Sequence, residues 1–290
     1  MTYQVLIDRL AAAGIDNAAG EARLLAAHFA GLDENVLRIH PDHSIPDPEG
    51  VLLRALERRE MREPLQYILG TWSFWRQEYE VSPDCLVPRP DTECLVEEAL
   101  RHLPRGGRIL DLCTGSGCIA ISLLCERADA SCVALELSEP TLALAKRNAA
   151  RNGVGNDRLT LLCGDVLIPD FLPTLGKFDI IISNPPYIPT ADLAALPPET
   201  QREPRMALDG GEDGLRFYRR ILAPDYRTAL KAGGCFLFEI GYDQGEALRT
   251  LAASIGADCR ITRDYGGNDR VAWVTWDVGA LPQTPVKKLF

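Results

Sequence analysis

A chain of 290 residues with 46% hydrophobic and 25% charged residues has the composition of an ordinary globular protein, with room for one large domain or two smaller ones. Its net charge of −10, counted with His neutral, weighs against nucleic acid as the main partner, because phosphate binding draws on Lys and Arg. No apolar run approaches the roughly 20 residues of a membrane helix, and the N-terminus places Asp8 in its apolar stretch with no cationic start, so no signal peptide, no membrane partner and a cytoplasmic location are expected.

Residues 1–70 read as helices. "YQVLIDRLAAAGI" and "NAAGEARLLAAHFAGL" carry Leu, Ile and Ala at helical spacing, and "DPEGVLLRALERREMREP" places acids early, arginines late and Pro64 as its stop. Pro41, Pro46 and Pro48 break the chain between them. The aromatic, β-prone run "LGTWSFWRQEYEVSPDCL" predicts a hairpin connector over 71–90. "RPDTECLVEEAL" then opens a helix, with Asp91 or Thr92 as its cap.

From 91 to 278 strands alternate with helices. "RILDLC", "SCVALEL", "RLTLLCGD", "FDIIISN" and "GGCFLFEIG" read as strands, with helices at "CIAISLLCERA", "EPTLALAKRNAARNG", "DGLRFYRRILAPDYRTAL" and "DQGEALRTLAASIG". "CRITRD" and "RVAWVTWD" follow with a linker too short for a helical crossover, so they are expected as an antiparallel pair at an edge. The predicted fold class is α/β, a seven-stranded, mostly parallel sheet with an antiparallel edge strand, plus a small helical N-terminal domain and the hairpin connector. A long loop spans about 185–211, and the tail 279–290 is expected to be disordered or loosely docked.

Nine cysteines show no CxxC and no clustering with His, so no metal site is expected. Several, including Cys113, Cys132, Cys163 and Cys235, fall in strand-like runs and read as small buried hydrophobes of a reducing compartment.

Two stretches carry chemistry. In "LDLCTGSGCIA" a strand meets a helix through a turn holding Gly115 and Gly117, which lets backbone approach a ligand closely. It matches neither G-x-G-x-x-G nor a P-loop, and a plain βα turn is the alternative. The next strand ends at Glu136, placed to take hydrogen bonds from a ribose diol, and the third at Gly164–Asp165, where a carboxylate can accept from an exocyclic amine. Together they outline a nucleoside-shaped trough on the C-terminal rim of the sheet. The fourth strand ends in "ISNPPYIP", which puts the Asn184 amide at the same rim, stiffened by Pro185 and Pro186 and followed by Tyr187.

The pairing of "DLCTGSG" with "NPPY" resembles S-adenosylmethionine-dependent methyltransferases that alkylate planar nitrogens. With "VPRPDTECLVEEAL", "EPRMALDGGEDGL" and "RDYGGNDRVAWV", nearly the whole chain resembles the release factor glutamine methyltransferase family. The resemblance implies a Rossmann-like methyltransferase sheet and a methyl transfer from S-adenosylmethionine to the side-chain amide nitrogen (N5) of the glutamine in the GGQ motif of peptide chain release factors. It implies cofactor binding by Cys113, Thr114, Gly115, Ser116, Gly117, Glu136, Asp165, Val166 and Asn184. It also implies catalysis and substrate holding by Asn184, Pro185, Pro186 and Tyr187, a substrate-facing segment with Arg89, Pro90 and Glu93, and a helical region that docks the protein substrate. Cys113 stands where a third glycine is common, and Val166 where some relatives carry an aromatic. A monomer without direct nucleic-acid contact is expected. The competing readings are a glutamine methyltransferase acting on a ribosomal protein, an adenine-N6 nucleic-acid methyltransferase, and a binding module with a vestigial site.

Overall fold

The computed structural model describes residues 1–33, 35, 36, 42 and 44–276, so the expected tail and Pro41 lie outside the described residues. The chain divides into two compact units. The first holds Met1–Thr71 and Leu196–Glu203; the second holds Trp72–Ala195 and the chain from Pro204 on.

In the first unit, α1 (Tyr3–Ala12) starts at Thr2, whose hydroxyl accepts from the Val5 N–H, and α2 (Ala18–Ala30) ends at Gly31, which donates its N–H to the Ala27 carbonyl. Pro46 and Pro48 lie in irregular chain before α3 (Val51–Glu60). There Asp47 accepts from the Leu52 and Leu53 N–H groups. Leu6, Leu10, Leu25, Leu52 and Leu56 meet in a core with no exposure. Pro64 is not the stop of α3: the helix already ends at Glu60, where Arg62 enters the left-handed region (φ 65) and its side chain reaches the Ala13 and Gly14 carbonyls. Pro64 instead opens a further turn, α4 (Leu65–Leu69), in a stretch whose end was assigned to the hairpin.

Arg59 is 5% exposed and ties this unit together. Its guanidinium holds Glu21 at 2.6 Å and Glu199 at 2.8 Å, so the segment Leu196–Glu203 is clamped to α2 and α3. Burial pushes the Glu199 carboxyl up, but Arg62 and Arg59 hold it below the usual range. Replacing Arg59 by Leu strands these partly buried carboxylates, and about 3 kcal/mol of the unit's unfolding free energy is expected to be lost in urea titrations followed by circular dichroism.

The second unit begins with the hairpin β1 (Thr71–Phe74) and β2 (Gln77–Glu80), followed by α5 (Glu93–His102). The main elements are then β3 (Arg108–Leu112), α6 (Cys118–Glu126), β4 (Ser131–Glu136), α7 (Glu139–Arg151), β5 (Leu159–Cys163), α8 (Leu172–Leu175) and β6 (Phe178–Ser183). The chain closes with α9 (Arg216–Ile221), α10 (Pro224–Thr228), β7 (Leu230–Glu239), α11 (Gly245–Ser254), β8 (Asp258–Arg263) and β9 (Asp269–Thr275). The helix expected over "DGLRFYRRILAPDYRTAL" is therefore two helices, broken where Pro224 restarts the chain as a first helical residue.

The seven-stranded sheet has the order β5-β4-β3-β6-β7-β9-β8. Its first five strands are parallel, β9 runs antiparallel to both β7 and β8, and the last two strands form the expected antiparallel pair at that edge, with β9 inserted between β7 and β8. The central strands are apolar on both faces because helices cover both, with Ile109, Ile180 and Ile182 in one core layer and Leu110, Ile181 and Phe236 in the other. All nine cysteines are free, and Cys163, expected to be buried, is exposed because it sits at the last position of edge strand β5.

Candidate active site

The sheet reverses its winding at β3, with β4 and β6 on either side, and such a switch point leaves a crevice beyond the carboxyl ends of the strands. The register makes the crevice level. Leu112 pairs with both Leu135 and Ser183, and Ser183 with Phe238, so Cys113, Glu136, Asn184 and Glu239 leave their strands at one height.

A cavity of about 540 Å³ occupies this crevice within the second unit. Cys113, Thr114, Gly115, Ser116, Glu136, Asp165, Val166, Asn184, Pro186 and Arg89 line it; Gly117, Pro185, Tyr187, Pro90 and Glu93 do not. The glycine turn is built as its sequence suggests, with Gly115 at φ 56 and Gly117 at φ 80, and a side chain at Gly117 would collide with Ile121. Cys113 also has φ 59, a left-handed conformation uncommon outside glycine, and its side chain packs on the core beside the sheet. Thr114 donates its hydroxyl to Asp111 at 2.6 Å and its N–H to the Leu135 carbonyl, which binds the turn to β4. Asp111 has no exposure, and burial pushes its carboxyl up to about 7 against the Thr114 hydrogen bond.

Glu136 accepts the Gly115 N–H on one oxygen and the Ser138 N–H on the other, both at 3.0 Å. Each oxygen keeps a lone pair, so a carboxylate is held rigidly at the cavity wall with acceptor capacity to spare. Asp165 accepts the Leu167 N–H at 2.8 Å. Leu135, Val166 and Ile119 supply apolar lining between the two acids. A pocket of this size, lined by the carboxylates of Glu136 and Asp165 together with apolar side chains, can hold a cationic nucleoside such as S-adenosylmethionine.

At the other end, Asn184 donates from Nδ2 to the Thr92 hydroxyl at 3.3 Å, an orientation that leaves its side-chain carbonyl for the cavity. Tyr187 turns its half-buried ring to the second core layer and donates its hydroxyl to Glu239 at 3.3 Å. The loop is fixed from behind. Gln244 donates Nε2 to the Tyr187 carbonyl at 2.9 Å, Ile188 and Gly210 exchange backbone bonds with Leu208 and Ile188, and a side chain at Gly214 would sit 2.3 Å from the Tyr187 carbonyl oxygen. The long loop is thus not featureless: it contains 3₁₀ turns at Thr190–Ala195, Thr200–Arg202 and Arg205–Ala207.

The segment before α5 also differs from expectation. Thr92 stands at the N-cap of α5, as expected, but makes no side-chain capping bond, because Pro90–Thr92 forms a 3₁₀ turn and the Thr92 hydroxyl is engaged by Asn184. Glu93 accepts the N–H of Trp75 at 2.7 Å, at the hairpin turn where Trp75 has φ 56. Glu239 and Gln244 were not singled out from the sequence, and Thr92 only as a helix cap. The one readable signal was an acid inside the apolar run "FLFEIG".

Residues 3–70 match the family model of the PrmC N-terminal domain and residues 90–195 that of the methyltransferase small domain. The chain is 45% identical over 269 residues to a release factor glutamine methyltransferase of Geobacter sulfurreducens, covering 90% of this chain and 91% of that protein. It is 41% identical to one of Caulobacter vibrioides, covering 91% of each. A solved methyltransferase from Pyrococcus furiosus, 19% identical, overlays with a TM-score of 0.51 over 68% of this chain and 86% of its own, a likeness of fold.

Proposed function

Because the chain belongs to the release factor glutamine methyltransferase family, we propose that this methyltransferase transfers the methyl group of S-adenosylmethionine to N5 of the glutamine in the GGQ motif of peptide chain release factors. The observation that carries this reading is Asn184. Asn184 lines the cavity that also holds Glu136 and Asp165, and its Nδ2 is given to Thr92, which leaves the side-chain carbonyl to accept, beside a stiff diproline. When bound, the cofactor supplies a sulfonium-activated methyl group.

The chain's own part is alignment. An amide nitrogen is a poor nucleophile because its lone pair is delocalised into the carbonyl, which keeps the group planar. The Asn184 Oδ1 and the Pro185 carbonyl each accept one N–H of the glutamine amide, which orients the nitrogen and favours positive charge growing on it. The Tyr187 ring, packed on the core and bound through its hydroxyl to Glu239, anchors the stretch that follows the diproline. With the cofactor bound, these acceptors would hold the amide nitrogen in line with the sulfonium's methyl group, and the nitrogen's proton would leave after transfer. Neutral acceptors suit a partly buried site better than carboxylates, whose burial costs more. Positioning of this kind is worth roughly 7–11 kcal/mol in favourable cases. Glu136 holds the ribose diol, Asp165 and Val166 the adenine, and the 113–117 turn the remainder of the cofactor. Arg89, Pro90 and Glu93 belong to the segment bordering the protein substrate.

Incubation with a release factor and isotopically labelled S-adenosylmethionine, followed by mass spectrometry, is expected to place one methyl group on the GGQ glutamine. A ribosomal protein and an adenine-containing duplex serve as competing acceptors, and label on either of these with none on the release factor would overturn the assignment.

A further inference from the structure

The carboxyl rim of the sheet divides at Asn184. The cavity takes its strand-end lining from β3, β4, β5 and β6, and no residue of 240–245 or 264–269 lines it. The order β6-β7-β9-β8 therefore leaves the other half of the rim clear of the cofactor cavity. Large hydrophobic residues of the second unit stand exposed on both halves. Leu137 and Met206 line the cavity, and Ile168 follows the lining residue Leu167. Tyr242, 70% exposed, and Tyr265, 86% exposed, stand on the half without the cavity, and among the described residues of this unit they are the most exposed of the set.

Both rings are carried on pinned turns. Tyr242 follows β7 in a turn where Gln244 accepts the Gly241 N–H on Oε1 and donates Nε2 to the Tyr187 carbonyl, both at 2.9 Å. Tyr265 lies in the turn from β8 to β9, where the buried Asp264 accepts the Asn268 N–H at 2.9 Å and the Arg270 guanidinium at 3.1 Å. The Tyr265 hydroxyl donates to Glu97 of α5 at 3.3 Å. The Ile240 N–H donates to the Arg270 carbonyl at 2.9 Å, which joins the two turns, and the Arg270 guanidinium lies 3.6 Å from Asp91, next to Asn184's partner Thr92. Tyr242 thus stands one strand from β6 and Tyr265 two to three, roughly 5 Å and 10–14 Å away at a strand spacing of about 4.8 Å. An extended chain covers such spans in about two to four residues.

We propose that Tyr242 and Tyr265 form the docking surface for the glycine-rich loop of the protein substrate, which lies across the ends of β7, β9 and β8 when its glutamine enters at Asn184. The inference rests on the functional reading above. With the cofactor on the β3–β5 half, the chain that carries the glutamine has the other half of the rim to cross. The two glycines beside the glutamine have no side chains to fill pockets, so this loop offers flat peptide groups, and flat surfaces are what can hold it. A tyrosine ring gives a large amphipathic contact with two χ angles to freeze, and a pinned turn lowers the ordering cost further. The spans above put the glycine pair on Tyr242 and chain farther from the glutamine on Tyr265.

The experiment compares wild type, Tyr242→Ala, Tyr265→Ala, the double variant and Tyr265→Phe on a release factor, reading KM for the protein substrate, kcat and the calorimetric Kd for S-adenosylmethionine. Each alanine variant is expected to raise KM by about 5- to 30-fold, the effect of truncating an aromatic anchor, with kcat within about 3-fold and cofactor Kd within about 2-fold. Tyr265→Phe keeps the ring and loses only the Glu97 hydrogen bond, so its KM should stay within about 2-fold of wild type. An unchanged KM in the double variant, a loss confined to kcat, or a Tyr265→Phe as impaired as Tyr265→Ala overturns the proposal. A wild type that leaves the release factor unmodified overturns instead the reading beneath it.

Discussion

Asn184→Ala is expected to lower kcat on a release factor by about 10²- to 10³-fold, the scale seen when one preorganised polar group facing a charge-developing atom is removed. The substitution leaves Glu136, Asp165 and the glycine turn untouched, so the calorimetric Kd for S-adenosylmethionine should stay within about 2-fold. This split separates alignment from binding. A shared loss in both quantities would mean that Asn184 acts mainly on the cofactor; retained turnover would remove the amide from the mechanism. The size of the effect follows from rigidity. Pro185 and Pro186 fix the backbone beyond Asn184, and Gln244 holds the Tyr187 carbonyl, so no neighbouring acceptor can move in to compensate.

Glu136→Ala should produce the opposite split. Hydrogen bonds to a charged group are worth about 1.5–3 kcal/mol, or roughly 10- to 100-fold in affinity. The carboxylate also anchors the Gly115 and Ser138 N–H groups, so its removal frees the turn that lines the cavity. Cofactor Kd measured by calorimetry is expected to rise by that factor, while kcat at saturating cofactor changes little. Glu139, an exposed acid in the first turn of α7, is the matching control. Equal affinity in wild type and Glu136→Ala would remove the diol contact from the account.

What the sequence made legible is what local chemistry specifies. Runs such as "FDIIIS" read as doubly covered strands, which β6 is, and the two glycines after "LDLCT" mark a turn whose positive φ angles the structure shows. Because strand ends are read along with strands, Glu136 and Asn184 could be placed on one rim before any pairing was known, and the register then set them level. Thr92 does stand at the N-cap of α5, but nothing local reveals that its hydroxyl is taken by a residue 92 positions away. Glu239 was passed over for a similar reason: its partner Tyr187 reaches it from a separate stretch of chain. The left-handed backbone at Cys113 belongs to the same class, since a residue without glycine's freedom gives no sign of the turn it must adopt. Pro224 was a different matter. Its break was written in the sequence and was outweighed by the periodicity on either side.

The place of β9 in the sheet has a consequence for the order in which this enzyme comes into being. A ribosome delivers the chain from its first residue onward, so the glycine turn and the diproline emerge long before Asp269–Thr275. Yet β7, which carries Glu239, has β9 as its outer neighbour, and Arg270 on β9 is the cation that faces Glu239. Glu136, Asn184 and their hydrogen-bond partners Gly115, Ser138 and Thr92 all emerge before β9, whereas the outer side of β7 stays unpaired until β9 is made. A chain halted before Asp269 would leave β7, the strand beside the one that leads to Asn184, as an open edge of the sheet.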